Sequence, residues 1–129
     1  MDFDLERVVQ TARSDFLHDQ VPYVELHPLL ANRHPGLEVS PYMLLVRNKF
    51  PKASCYLAAE YLLYLTGGEG EVVYGGYETP TEVRAHAYMQ IGETIADITA
   101  DQFGGPETYV GPLVRPWLPE FVGHDAQTI

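Results

Sequence analysis

The chain has 129 residues, of which 46 % are hydrophobic and 20 % charged, proportions of a globular protein rather than a disordered or fibrous one. Its formal charge of −10 argues against nucleic acid as a partner, because phosphate backbones demand a positive face. No apolar run approaches the ~18–20 residues of a membrane span, and the acidic start Met1-Asp2-Phe3-Asp4 lacks the pattern of a secretory signal.

A single cysteine, Cys55, fits a reducing compartment, so a cytoplasmic location is the expectation. The length suits one domain over residues 1–129. Residues 3–18 show apolar positions at spacings of three and four, which predicts an amphipathic helix. The stretch 19–51 carries Pro22, Pro28, Pro35, Pro41 and Pro51 and reads as irregular, with a short strand or helical turn over 41–46. Residues 54–66 form the clearest helix: Ser54 suits the N-cap, Gly67-Gly68 the stop, and Glu60 is the only charge. A helix that apolar belongs in the middle of a domain.

Beyond it the period changes to two. Strands are predicted over 71–77, 83–91, 94–99 and 108–114, with an irregular tail from Arg115 and loose last residues. Helices first and then an antiparallel sheet define an α+β fold, with the central buried helix packed on that sheet.

Three residues carry candidate chemistry. Cys55 stands at the first position of the central helix, where unpaired N–H groups and the positive dipole end favour thiolate. Gly92-Glu93 reads as a two-residue hairpin loop, with glycine where a type II′ turn prefers it. That register pairs Ile91 with Thr94 and Tyr88 with Asp97. It sets His86, Tyr88, Gln90 and Asp97 on one face, and Ala87, Met89, Ile91, Ala96 and Ile98 on the other. His86 and Asp97 become diagonal neighbours, and a one-residue slip would part them.

A thiol, an imidazole and a carboxylate so arranged are the parts of an acyl-transfer site. His86 would take the thiol proton, Asp97 would hold the ring, and the sulfur would attack a carbonyl to form a thioester. The Cys55 backbone N–H is a natural oxyanion donor, with Asn48 or Gln90 as the second. No cofactor is implied, and one thiolate with scattered histidines lacks the clustering of a zinc site.

At these residues the chain resembles the papain-like superfamily in its transglutaminase-like branch. The resemblance lies in Ser54-Cys55-Tyr56-Leu57-Ala58-Ala59-Glu60 opening a helix, His86-Ala87-Tyr88 opening a strand, and Asp97-Ile98-Thr99 after a hairpin. The run from His86 to Phe103 is also similar to small uncharacterised bacterial proteins of that branch. Tyr88 departs from the more frequent tryptophan, and the upstream glutamine of papain-type oxyanion holes has no clear counterpart. The resemblance implies a papain-like fold and a cysteine-dependent amide hydrolase or acyl transferase: a peptidase, deamidase or transglutaminase-like enzyme acting on a peptide or protein amide. Two alternatives stand beside it. One is a catalytically inactive partner-binding module on the same fold, the other a small-molecule acyltransferase.

Overall fold

The computed structural model describes residues 4–122. Four helices precede a five-stranded sheet, giving an α+β architecture. Helix α1 spans Leu5–Leu17 and starts at Asp4, whose carboxylate accepts from the Arg7 N–H at 3.2 Å. Leu5, Val9, Ala12 and Phe16 form its buried stripe.

The stretch 19–51 corrects the expectation of irregular chain, for it holds two helices, α2 (Tyr23–Arg33) and α3 (Val39–Lys49). Their prolines do not act as breakers, for two reasons. Pro41 lies in the first turn of α3, where an N–H has no helical partner to lose. Pro28 lies inside α2 and forfeits one backbone bond, but the helix is held by Tyr23, Leu26 and Leu30, all buried in the core. Packing outweighs the local penalty.

Helix α4 (Cys55–Leu65) is the buried centre, with nine of its residues, Cys55 to Leu63, removed from solvent. Ser54 occupies the N-cap position without capping: its hydroxyl donates to the Lys52 carbonyl at 2.9 Å. The Leu57 N–H donates instead to the Tyr42 hydroxyl at 3.3 Å. The helix stops where Gly67 and Gly68 take positive φ (68° and 81°) and the Gly68 N–H returns to the Leu63 carbonyl.

The strands are β1 (Glu71–Glu78), β2 (Val83–Ile91), β3 (Thr94–Asp97), β4 (Tyr109–Pro112) and β5 (Trp117–Leu118). They pair antiparallel in the order β4-β3-β2-β1-β5. The β2–β3 hairpin has Ile91 opposite Thr94, with Gly92 at φ 60° at the first turn position. The tail is not wholly irregular, because Trp117 pairs with Tyr77 and adds β5 to the β1 edge. The last residues, expected to be loose, lie outside the described residues from 123 onward.

The sheet buries both faces. Ala87, Met89, Ala96 and Ile98 join the helices in the main core. Tyr77, Tyr88, Ile95, Ala100 and Trp117 form a second apolar cluster on the other side. Strand β3 pairs only with Met89–Ile91 of β2, so the first part of β2, from Val83 to Tyr88, has a strand only on its β1 side. At that flank the chain before α4 and the 3₁₀ turn Ala100–Phe103 converge.

Candidate active site

His86 and Asp97 meet in the buried interior. The His86 Nε2 and Asp97 Oδ2 are 2.6 Å apart, and their side chains are 0 % and 2 % exposed. The hairpin register sets up this contact, since a two-residue turn keeps both residues on one face.

Asp97 is held from three sides. Besides the ring, its Oδ2 accepts from the Trp117 indole N–H at 2.8 Å. Its Oδ1 accepts from the Thr99 backbone N–H at 3.0 Å and the Thr99 hydroxyl at 3.3 Å. Burial opposes ionisation of this carboxyl. The charged ring, the indole and the Thr99 amide outweigh burial and hold Asp97 below the usual carboxylate range.

The same balance acts on His86. Burial disfavours the charged ring, but the Asp97 carboxylate and the neighbouring Cys55 sulfur more than reverse this and push it up to about 10. Nδ1 points away from the carboxylate and has no hydrogen-bond partner of good geometry, although it is fully buried. The ring is boxed by Phe103 (5.2 Å between centroids, edge-on) and Tyr77 (5.8 Å, edge-on). Packing therefore fixes its plane, and Asp97 fixes which nitrogen faces the sulfur.

Cys55, the first residue of α4, is 6 % exposed. Its backbone N–H belongs to the group that a helix start leaves without an internal acceptor. A pocket of about 300 Å³ reaches it, lined by Lys52, Ala53, Cys55, Arg84, Ala85, Gln102 and Phe103. Ala53 holds a left-handed backbone (φ 58°) there, a conformation that costs a non-glycine residue roughly 1 kcal/mol.

Neither expected second oxyanion donor lines this pocket. Asn48 is exposed on α3 and does not line this pocket. Gln90 donates its amide to the Gly92 carbonyl at 3.0 Å, bracing the hairpin turn. The side-chain amide that does line the pocket is Gln102, whose Nε2 is buried without a partner. Its neighbour Asp101 is not free for catalysis, since both its oxygens bind Arg13 at 2.7 and 2.8 Å.

Sequence reasoning missed two polar supports. Trp117 is the only tryptophan in the chain, and it lies in the tail that reads as irregular from Arg115. His34 is the residue that ends α2. It stacks on Tyr56 (4.7 Å between centroids) and shares a 3.0 Å hydrogen bond with the Tyr74 hydroxyl.

Among the described residues no group of three or more His, Cys, Asp or Glu side chains is placed to hold a metal ion, and no helix is long and apolar enough to cross a membrane. The fold and the site thus define an α+β chain with a buried His–Asp pair beside a helix-start cysteine. No protein-family model, curated protein or solved structure matches it.

Proposed function

We propose that the protein is a cysteine-dependent amide hydrolase or acyl transferase, built on a papain-like, transglutaminase-like variant of the α+β fold, with Cys55 as nucleophile, His86 as acid and base, and Asp97 as the group that orients the ring. One observation carries the reading. A fully buried imidazole is tied to a carboxylate through Nε2, while its other nitrogen, without a partner, sits beside the only thiol, at a pocket. A structural histidine of the core normally has both nitrogens satisfied.

The chemistry balances without a further reactant other than water or an amine. With His86 held as the imidazolium, Cys55 attacks as the thiolate, its proton already resting on Nδ1, and the sulfur forms the C–S bond with the carbonyl carbon. The carbonyl oxygen takes up the electron pair, facing the Cys55 backbone N–H and the Gln102 amide. Collapse breaks the C–N bond, and the amine departs with the proton from His86. Water, or an acceptor amine, then gives its proton back to His86, attacks the thioester and releases Cys55. Asp97 supports both directions, since it steadies the imidazolium and keeps the ring in one orientation.

A second reading is a partner-binding module with an inert thiol. It is favoured by the shallow 6 % exposure of Cys55 and by the lack of an aligned bond to Nδ1.

Iodoacetamide labelling across pH separates the two. The enzymatic reading expects alkylation of Cys55 below pH 7 at a rate well above that of a free thiol, and its suppression in His86→Ala. It also expects amide or ester turnover that disappears in Cys55→Ala. Slow labelling with an ordinary alkaline midpoint, or turnover unchanged in Cys55→Ala, overturns it in favour of the binding module.

A further inference from the structure

The pocket at Cys55 has the opposite charge sign to the chain. The protein carries 18 Asp and Glu against 8 Lys and Arg, so a random patch would be acidic by more than two to one. Yet the seven residues lining this pocket include Lys52 and Arg84 and no acid. Asp101, next in sequence to Gln102, is paired with Arg13 at 2.7 Å.

The remaining polar lining group points the same way. The buried Nε2 of Gln102 is a donor without an acceptor, and a buried donor left unsatisfied costs stability until something fills its place. Arg84 is aimed by Phe103, whose ring lies 5.6 Å from the guanidinium carbon. Among the described residues it has one ion pair, with Glu82 at 3.3 Å and both side chains more than half exposed, and such a pair is screened by water and leaves the cation available. Two cations and a free amide donor around a thiol form a local positive well in an acidic background, and such a well concentrates anions.

We infer that the site takes an acyl group flanked by an anion, such as a carbonyl next to an acidic side chain or a free carboxylate, with Lys52 and Arg84 gripping the anion while Cys55 faces the carbonyl. The inference rests on the reading of Cys55 as a reactive thiol. It adds the charge of the substrate, which neither the thiol nor the His–Asp pair decides.

The single cysteine makes the test clean, because every thiol alkylation reports on this pocket. Iodoacetate and iodoacetamide form the same C–S bond with loss of iodide and differ chiefly in charge. Their rate ratio at Cys55, divided by the ratio for neutral N-acetylcysteine amide, isolates the electrostatic contribution of the site. The expected preference for iodoacetate is roughly fivefold, given two exposed cations each worth a factor of roughly two to three. It declines as salt rises from about 20 mM to about 500 mM and the screening length falls to a few ångströms.

Lys52→Gln and Arg84→Gln each lower the ratio, the double variant brings it to the model-thiol value or below, and Arg84→Lys retains most of it. A ratio at or below the model value in the unaltered protein, with iodoacetamide still fast, overturns the anionic substrate and leaves the thiol chemistry standing. Failure of both reagents to label Cys55 in the folded protein overturns both readings together. A ratio that is high but indifferent to both substitutions and to salt also overturns the inference, since the cations would not be its source.

Discussion

His86 and Asp97 share one 2.6 Å hydrogen bond in the interior, and each moves the other's ionisation in the direction that keeps both charged. The pH dependence follows from the two directions. The folded-state pKa of His86 is raised above its ordinary 6.5 to about 10, so its contribution to stability is complete below pH 6.5 and fades as pH rises through about 10. Asp97 is depressed, so its contribution holds above its ordinary 3.8 and is lost as pH falls through the folded value. The advantage of the unaltered protein over Asp97→Asn is therefore greatest between about pH 4 and pH 6.5 and shrinks toward pH 10. Urea denaturation at three pH values should show it, with a maximum of about 1.5–3 kcal/mol for a charged hydrogen bond. An advantage that grows with pH would sink the assignment.

Trp117 donates to the same carboxylate oxygen as the ring, and its indole also stacks on Tyr109 with centroids 3.9 Å apart. Trp117→Phe keeps much of the stacking surface and removes only the donor. The substitution raises the folded pKa of Asp97, so acid unfolding begins at higher pH than in the unaltered protein. Near neutrality the loss is about 1–3 kcal/mol, as for any buried acceptor deprived of a partner. Circular dichroism followed down the pH scale checks the shift, and an acid midpoint that does not move would show that the indole has no hold on the carboxylate.

These contacts mark how far the sequence alone could be read. The central helix, strand 83–91 and the Gly92-Glu93 turn were legible because each rests on local signals: an apolar stretch bounded by Ser54 and Gly67, strict alternation, and a turn glycine. The facing of His86 and Asp97 followed from counting across that turn. Helices α2 and α3 were hidden because proline statistics speak against a helix while Leu26, Leu30 and Val46, all fully buried, decide for one. The support from Trp117 was hidden for a different reason. It depends on a two-residue strand pairing with β1 from some 40 positions away, which no local period announces. Gln102 lies in a 3₁₀ turn, and that this turn closes on Cys55 is a tertiary fact no local pattern carries.

Gly75 makes that distant pairing possible. It sits opposite His86 in the β1–β2 register, and a Cβ built on it would lie 1.9 Å from the Leu118 carbonyl oxygen. Backbone cannot yield as a side-chain tip can, so Gly75→Ala must push β5 away from β1. It should also loosen the 2.8 Å bond from the Tyr88 hydroxyl to the same carbonyl and draw Trp117 off Asp97. The expected outcome is a loss of about 2 kcal/mol or more, together with a changed tryptophan fluorescence. Gly76→Ala is the milder comparison, because a Cβ there meets a Val83 methyl at 3.0 Å and the Arg84 carbonyl oxygen only at 3.3 Å. A Gly75→Ala protein with the stability and fluorescence of Gly76→Ala would refute the close approach.

The other buried carboxylate is held in a different way, and the difference predicts an order of damage. Glu60, on the otherwise apolar α4, is 3 % exposed and is gripped through both oxygens by Arg33, which is 36 % exposed on α2. Removing the arginine strands a carboxylate in the core, whereas removing the glutamate frees an arginine that can turn to water. Arg33→Met should therefore cost about 3–5 kcal/mol, and Glu60→Leu distinctly less, because leucine suits a helix whose other buried residues include Leu57, Leu62 and Leu63. The adjoining hollow between α2 and α4, lined by Leu29, Leu63 and Tyr64, lets some water approach and sets the cost toward the lower end. Combining the two substitutions should be less harmful than Arg33→Met alone, since the stranded charge is then gone. Denaturant midpoints of the three variants test the order, and Glu60→Leu proving the most damaging would mean that the carboxylate, rather than its neutralisation, is what the helix pair requires.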